Sequence, residues 1–413
     1  MLFIQVYSSV IYKAFSMAFI LFIPYLFTKV FTETQYGLWS IYQSSVMWFL
    51  LMDLGLGNAL VNKLPEEKTY SNRLDLLCFT NKLSIYITLL ILMLNTILYI
   101  IINNYDLYLY IGLSMISLCI PFNIVGKYWT YRKKSQNIEL YSLISNILFC
   151  AFASILFITN SLTLNISIVS FAFILLLTKL YFFLKTSTLK NSLLISLRNL
   201  NKFNIKGKYN FLSISINFFV CQVTSISILL GIRYFFAYND MFEYAGLFDI
   251  LFRPGTIAIM LCVLILRPIW IKLLEHYLKR ERKDCIKLLF SIFLIYILYI
   301  TAITIIQKTN VLLYLFNIWT PELTSINLTT INATLAFTSI VILNNIISYI
   351  MNGLNLIKAQ MYLNMIGIII CLIYFLTLSN EYSYDLYPLF FSFPFTPLII
   401  VGSILIYRRI KKL

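Results

Sequence analysis

Residues 36–64 read YGLWSIYQSSVMWFLLMDLGLGNALVNKL, an apolar run long enough to cross a bilayer as a helix, with one carboxylate, Asp53, inside it. Two glycines follow (Gly55 and Gly57), then Asn58 and a polar exit at Asn62 and Lys63. A charge held in hydrocarbon costs about 2.5–3.5 kcal/mol on insertion scales, so by default it marks a functional site. Trp39, Tyr42, Val46 and Asp53 are spaced by three, four and seven and fall on one helical face. That face suits a wet cavity better than lipid; pairing of Asp53 to a neighbouring helix is the other reading. Aspartate is too short to reach the inner surface from there, about 12 Å away at 1.5 Å per residue.

Composition places the rest of the chain in the same solvent. Of 413 residues, 60% are hydrophobic and only 12% charged, where a soluble chain carries about a quarter charged. Mean hydropathy is +0.85. The seven cysteines are isolated, which implies neither a disulfide framework nor a zinc site. One histidine, His276, excludes a multi-histidine metal site and a catalytic triad. No metal, no cofactor and no catalytic residue is expected. The N-terminal run lacks a compact basic region and a small-residue cleavage pattern, and reads as a retained first span.

Twelve segments meet the length of a span: 9–30, 36–61, 83–102, 107–126, 140–159, 164–184, 209–236, 245–266, 287–306, 329–351, 361–379 and 386–406. The short run 311–320, closed by Pro321, reads as part of an outer loop at the interface. Charge alternates between the connections. Loops after even-numbered spans, with the C-terminal tail, hold 26 of the 32 basic residues; loops after odd-numbered spans hold Lys29 and Lys308 against Glu33, Asp106, Asp240, Glu243, Glu322, Glu381 and Asp385. The positive-inside rule then puts both termini in the cytoplasm. It also accounts for the net charge of +16, which in a soluble protein points to nucleic acid; no nucleic-acid partner is expected here. The basic connection 185–208 divides residues 1–184 from 209–413, six spans each. Tyr36-Gly37-Leu38-Trp39 is echoed by Tyr244-Ala245-Gly246-Leu247-Phe248, with Gly37 and Gly246 209 residues apart; chance likeness of two aromatic helix starts stands beside an internal repeat. The expected fold is all-α and polytopic, with about 12 transmembrane helices in two six-helix lobes around a central cavity. Residues 268–287 have apolar positions at helical spacing and read as a separate cytoplasmic interfacial helix carrying His276.

Six charges fall inside the spans: Lys13, Asp53, Lys179, Arg233, Asp249 and Arg253. Lys13, Lys179 and Arg233 lie near span ends, where long side chains can snorkel. Asp249 and Arg253, four apart in acid-then-base order, suit an intrahelical pair. Pro254 follows, frees the carbonyl of Ile250 and predicts a kink where the arginine sits. An arginine at such a bend suits bidentate binding of a phosphate. Pro388, Pro394 and Pro397 predict a bent last span, and Pro24 a bend in the first. Gly55-Leu56-Gly57 follows a helix rather than a strand and is no nucleotide fingerprint, and no Walker A sequence occurs.

The 36–64 region resembles the second-span hallmark of Wzx-type O-antigen flippases, the polysaccharide-transporter branch of the multidrug/oligosaccharidyl-lipid/polysaccharide (MOP) exporter superfamily. The resemblance rests on Tyr36, Gly37, Leu38, Trp39, Leu51, Asp53, Leu54, Gly55, Leu56, Gly57, Asn58, Ala59, Leu60, Asn62 and Lys63. Weaker matches are Pro268 with Trp270, and Asn352-Gly353 with Lys358 and Gln360. It implies a bacterial inner-membrane transporter, not an enzyme, which moves undecaprenyl-pyrophosphate-linked oligosaccharide units from the cytoplasmic to the periplasmic leaflet by alternating access. It also implies membrane lipids, an O-antigen polymerase and a chain-length regulator as partners. On this reading Arg253, Arg233, Lys13 and Lys179 hold the pyrophosphate and glycan. Asp53 and Asp249 serve as gating or coupling groups, driven by a proton or sodium gradient. A multidrug or cation antiporter of the same superfamily is the nearest alternative. A membrane O-antigen polymerase or ligase is a second, against which the scarcity of bases in the outer loops argues.

Overall fold

The computed structural model describes residues 2–102, 106–198, 208–309, 311–320, 327–377 and 384–413. Lys202, Lys206, Pro321, Glu322 and Glu381, used above to count loop charge or end a segment, lie outside them. The described residues hold helices and no strand. In chain order these are α1 (Leu2–Thr28), α2 (Glu33–Leu51), α3 (Leu56–Lys63), α4 (Tyr70–Ile101), α5 (Leu107–Leu118), α6 (Ile124–Tyr131), α7 (Ser135–Ile158), α8 (Leu164–Lys185) and α9 (Ser187–Arg198). They continue with α10 (Tyr209–Tyr238), α11 (Phe242–Leu278), α12 (Arg282–Lys308), α13 (Val311–Trp319), α14 (Leu328–Gly353), α15 (Ile357–Thr377), α16 (Tyr387–Phe390) and α17 (Thr396–Lys411). Among the described residues ten helical segments are long and apolar enough to cross a membrane, and the count rises to twelve when each of two bent pairs is taken as one span. Each coincides with one of the twelve segments expected from hydropathy.

The bent pairs correct the expectation of uninterrupted spans. The second span breaks between α2 and α3 by 46°, so Asp53 sits at the break and not on the face of Trp39, Tyr42 and Val46, which are all buried. Leu54 and Gly55 there adopt left-handed φ of 51° and 70°. The fourth span bends by 44° between α5 and the segment 120–131, which opens with a 3-10 turn, Ile120–Asn123, containing Pro121. The proline cannot donate into the preceding turn, and the chain resumes in a new direction. Pro388, Pro394 and Pro397 interrupt the last span with short turns ahead of α17, as expected. Pro24 and Pro254 lie inside unbroken helices.

The chain forms two compact units, residues 1–31 with 42–222 and residues 32–41 with 223–413. In the first, α1 lies along α7 and α5 along α8. The α4–α9 contact is closed by serines: Asn81 Nδ2 donates to Ser192 Oγ (2.8 Å) and Ser196 Oγ donates to the Cys78 carbonyl (3.0 Å). Small hydroxyl side chains let helices approach closely and supply the hydrogen bonds that lipid cannot. Helix α9 falls within the stretch 185–208 that reads from sequence as a plain connection.

In the second unit α11 lies along α14. A Cβ on Gly255 would come within 2.3 Å of Thr338 Oγ1, and one on Gly353 within 2.9 Å of a Leu273 methyl. Trp270 packs edge-on against Tyr349 at 5.8 Å. Residues 268–287 are therefore not a separate interfacial helix. They are the end of α11, a turn and the start of α12, because buried Trp270 and Leu273 anchor this stretch to α14. At the turn, outside the spans, His276 Nδ1 and Glu281 Oε2 lie 2.5 Å apart, and this bond holds the Glu281 carboxyl below its usual value. The run 311–320 forms α13, with Phe316 buried. A cluster of rings closes the other end, where Phe235 meets Tyr387 at 5.1 Å and Phe375 at 5.6 Å.

Two glycines separate conformation from mere smallness. A Cβ on Gly55 would lie 2.3 Å from the Ser215 carbonyl oxygen, at a φ that disfavours side chains. A Cβ on Gly126, inside α6, would meet nothing within 4 Å. Gly55→Ala is expected to cost about 2 kcal/mol or more, and Gly126→Ala to be neutral or to gain up to about 1 kcal/mol of helix propensity. Thermal unfolding of the purified variants in detergent checks the order.

Candidate functional site

Every charge found in the spans is buried and answered by a partner. In the second unit Asp249 is the centre. Its Oδ1 accepts from Arg233 Nη2 at 2.7 Å. Its Oδ2 accepts from Arg253 Nη2 at 2.6 Å and Nε at 3.0 Å, and from the Tyr36 hydroxyl at 2.9 Å. The Asp249–Arg253 pair is the i,i+4 pair that the spacing predicts. Tyr36 and Arg233 join it from α2 and α10, so one carboxylate ties three helices together. The Arg233 guanidinium also lies over the rings of Phe248 and Phe252, at 5.8 and 6.0 Å. Arg233 thus points inward to Asp249 and does not snorkel. Helix α11 continues past Arg253 through Pro254, and the guanidinium is fixed by the carboxylate one turn before it.

The YGLW start of α2 is built for this contact. A Cβ on Gly37 would fall 1.9 Å from the Phe242 carbonyl oxygen, and one on Gly246 3.1 Å from the Tyr36 ring. The two glycines of the YGLW and YAGLF stretches therefore pack α2 on α11 and bring Tyr36 within reach of Asp249. Trp39 is fully buried beside them.

In the first unit the polar groups gather at the two helix breaks. Asp53 Oδ1 accepts from the Gly55 amide (2.9 Å) and Oδ2 from the Gly57 amide (3.3 Å). The carboxylate thus replaces the ladder lost at the break and faces the positive end of α3. Lys127 and Lys179 are close enough to attract it, and a Cβ on Gly57 would strike the Lys127 stem at 2.7 Å. Asn123 Nδ2 donates to the Leu50 carbonyl at 2.8 Å, an acceptor released where α2 ends. Lys179 Nζ donates to Asn123 Oδ1, so Lys179 closes the second break instead of reaching for solvent. Asn58 and Asn62 are buried on α3, and Lys63 pairs with Glu66 at 2.6 Å. Further along, Lys13 pairs with Glu139 at 3.3 Å between α1 and α7. Asn146, Ser16 and Ser142 continue that contact as a short polar ladder.

Three participants escape a reading of the sequence. Glu139 stands just outside the span limits that hydropathy sets, Lys127 counts as a loop base, and Asn123 is an uncharged residue in an apolar run. The one available signal was the unanswered charge of Lys13 and Lys179, which requires polar partners on neighbouring helices.

Neither a scan of protein families nor a search of curated proteins returns a match. Solved structures do match, along nearly the whole chain. A multidrug resistance MATE family transporter of the MOP superfamily, in an outward-facing conformation, superposes with a TM-score of 0.71 at 10% identity, covering 99% of this chain and 96% of its own. The fold is that of the MATE transporters. A MOP superfamily transporter from Pyrococcus furiosus gives 0.68 at 12% identity, with 98% and 95% covered. A Vibrio cholerae MATE transporter gives 0.66 at 12% identity, with 100% and 95% covered.

The Asp249 cluster ranks its members by what each leaves behind. Asp249→Ala removes the carboxylate that two buried guanidinium groups share and is expected to cost about 3–5 kcal/mol. Tyr36→Phe removes one hydrogen bond to a charged group, about 1.5–3 kcal/mol. Unfolding in detergent micelles should place Asp249→Ala clearly below Tyr36→Phe; equal midpoints would remove Asp249 from the centre.

Proposed function

We propose that the chain is an inner-membrane flippase that moves undecaprenyl-pyrophosphate-linked oligosaccharide units to the periplasmic leaflet by alternating access. The observation that carries this is the sign of the buried charge. Among the described ion pairs Asp249 is shared by Arg233 and Arg253, two cations to one carboxylate. An excess cation in a low-dielectric setting favours a pyrophosphate head and disfavours a cationic drug. The second-span residues Tyr36 to Lys63 support the same branch, and the transporter fold supports carriage across the membrane. On this reading the arginines trade part of their bonding to Asp249 for phosphate oxygens, which Arg binds bidentately. Lys13, paired with Glu139, and Lys179, bonded to Asn123, are held for the same cargo. Asp53, which caps α3, couples the break to a proton or sodium gradient. A polymerase and a chain-length regulator would act on the delivered units. The multidrug antiporter reading draws on the MATE likeness, and the charge excess tells against it.

Deleting the gene in its host is expected to abolish surface glycan while lipid-linked units persist on the cytoplasmic leaflet; normal surface glycan would overturn the proposal. Complementation with Arg253→Ala should restore less than a tenth of wild-type flipping and Arg253→Lys an intermediate amount, at equal membrane abundance. For Asp53→Asn, an unaltered pH and ion dependence of transport would remove the coupling role.

A further inference from the structure

A second basic feature lies in the first unit, lined by residues other than those of the Asp53 cluster. A cavity of about 340 Å³ opens where α6, α7, α8 and α9 meet. Arg132, Lys134 and Lys185 line it, with Thr186, Ser187 and Thr188 at the start of α9, and no carboxylate faces it among the described residues. The three bases are exposed at its rim. Buried Trp129 and Phe182, edge to face at 5.7 Å, contribute an apolar wall.

Several independent features point to a phosphate group as occupant. Helix α9 is 12 residues long and has no acidic residue in its first turn, and Ser187 and Thr188 of that turn line the cavity. Hydroxyls and cations surround that helix end. The surroundings point to a lipid as the bearer of the phosphate. Helix α9 buries Leu189, Ser192 and Ser196 but exposes Leu194 and Leu197, at 45% and 48%, the pattern of a helix lying in a membrane interface. Tyr181, 57% exposed on α8, meets Phe182 at 5.2 Å and carries Lys185 over its ring. An apolar helix face that also exposes Leu177 and Leu184 begins there, a path for acyl chains beside a basic rim.

We propose that this cavity seats the phosphate of an anionic phospholipid in the leaflet at the base-rich end of the unit. The site shares no residue with the Asp249 and Asp53 clusters, and its lipid role is the same whichever cargo the protein carries. Each base that faces the seated phosphate contributes about a five-fold gain in affinity for the anionic lipid. Lipid retention read by native mass spectrometry of the full chain, titrated with phosphatidylglycerol or phosphatidylcholine, tests this. The wild type should retain phosphatidylglycerol preferentially, and Arg132→Gln/Lys134→Gln/Lys185→Gln should lose on the order of a hundred-fold in affinity. Lys279→Gln/Lys283→Gln/Lys287→Gln, which removes bases elsewhere, should lose far less. Ser187→Glu guards against misfolding: the new carboxylate favours the α9 dipole, so binding should fall without a lower unfolding temperature. Wild-type retention in Ser187→Glu or in the cavity triple variant overturns the proposal. Displacement by low-millimolar inorganic phosphate, with no preference between the two lipids, would assign the cavity to a soluble phosphate and overturn the lipid reading.

Discussion

The second unit depends on one carboxylate that cannot be left alone. Asp249 lies inside a helix that crosses hydrocarbon, and an isolated charge there would be costly. Its answer comes from α2, α10 and α11 at once, through Tyr36, Arg233 and Arg253. Because these groups also need Asp249, the cost of burying any one is offset only when all are in place. Close glycine contacts at Gly37 and Gly246 bring the backbones near enough for this, and the ring cluster around Phe235 packs beside it. The result is a local structure fixed by charge geometry where apolar packing alone gives no preference between helix partners.

The first unit solves a different problem, that of a helix which stops inside the bilayer. Broken backbone is tolerated there only if its amides and carbonyls find partners within the protein. Asp53 takes the orphan amides on one side of the break, and Asn123, from the other bent span, takes the orphan carbonyl. The two bends therefore support each other through side chains. Each carries a residue suited to its turn, Gly55 in the left-handed region and Pro121 in the 3-10 segment.

The spans were legible because a bilayer imposes its thickness on the sequence, and twelve apolar runs separated by basic and acidic connections leave little freedom. The Asp249–Arg253 pair was legible because four residues make one helical turn. Arg233 and Tyr36 were not, since their contact with Asp249 depends on which helices stand side by side, which hydropathy does not record. The break at Asp53 was hidden because Leu54 adopts a left-handed conformation that its residue type does not announce. Continuity was hidden in turn at Pro254 and Pro268, where packing of α11 on α14 carries the helix through. At Trp270 a period that fits an interfacial helix belongs to a face buried on α14.

Asn123 has a consequence for what substitution can do at the fourth span. It stands between a group that only donates, the Lys179 ammonium, and one that only accepts, the Leu50 carbonyl. A side chain in that place must be an acceptor on one side and a donor on the other. An ionised aspartate has the shape but would turn an oxygen toward a carbonyl. Leucine has the size but neither polarity, and serine lacks the span. The amide is thus an adaptor with a fixed sense, and the two bent helices are joined by a connection that reads the same sequence letter for shape and for direction.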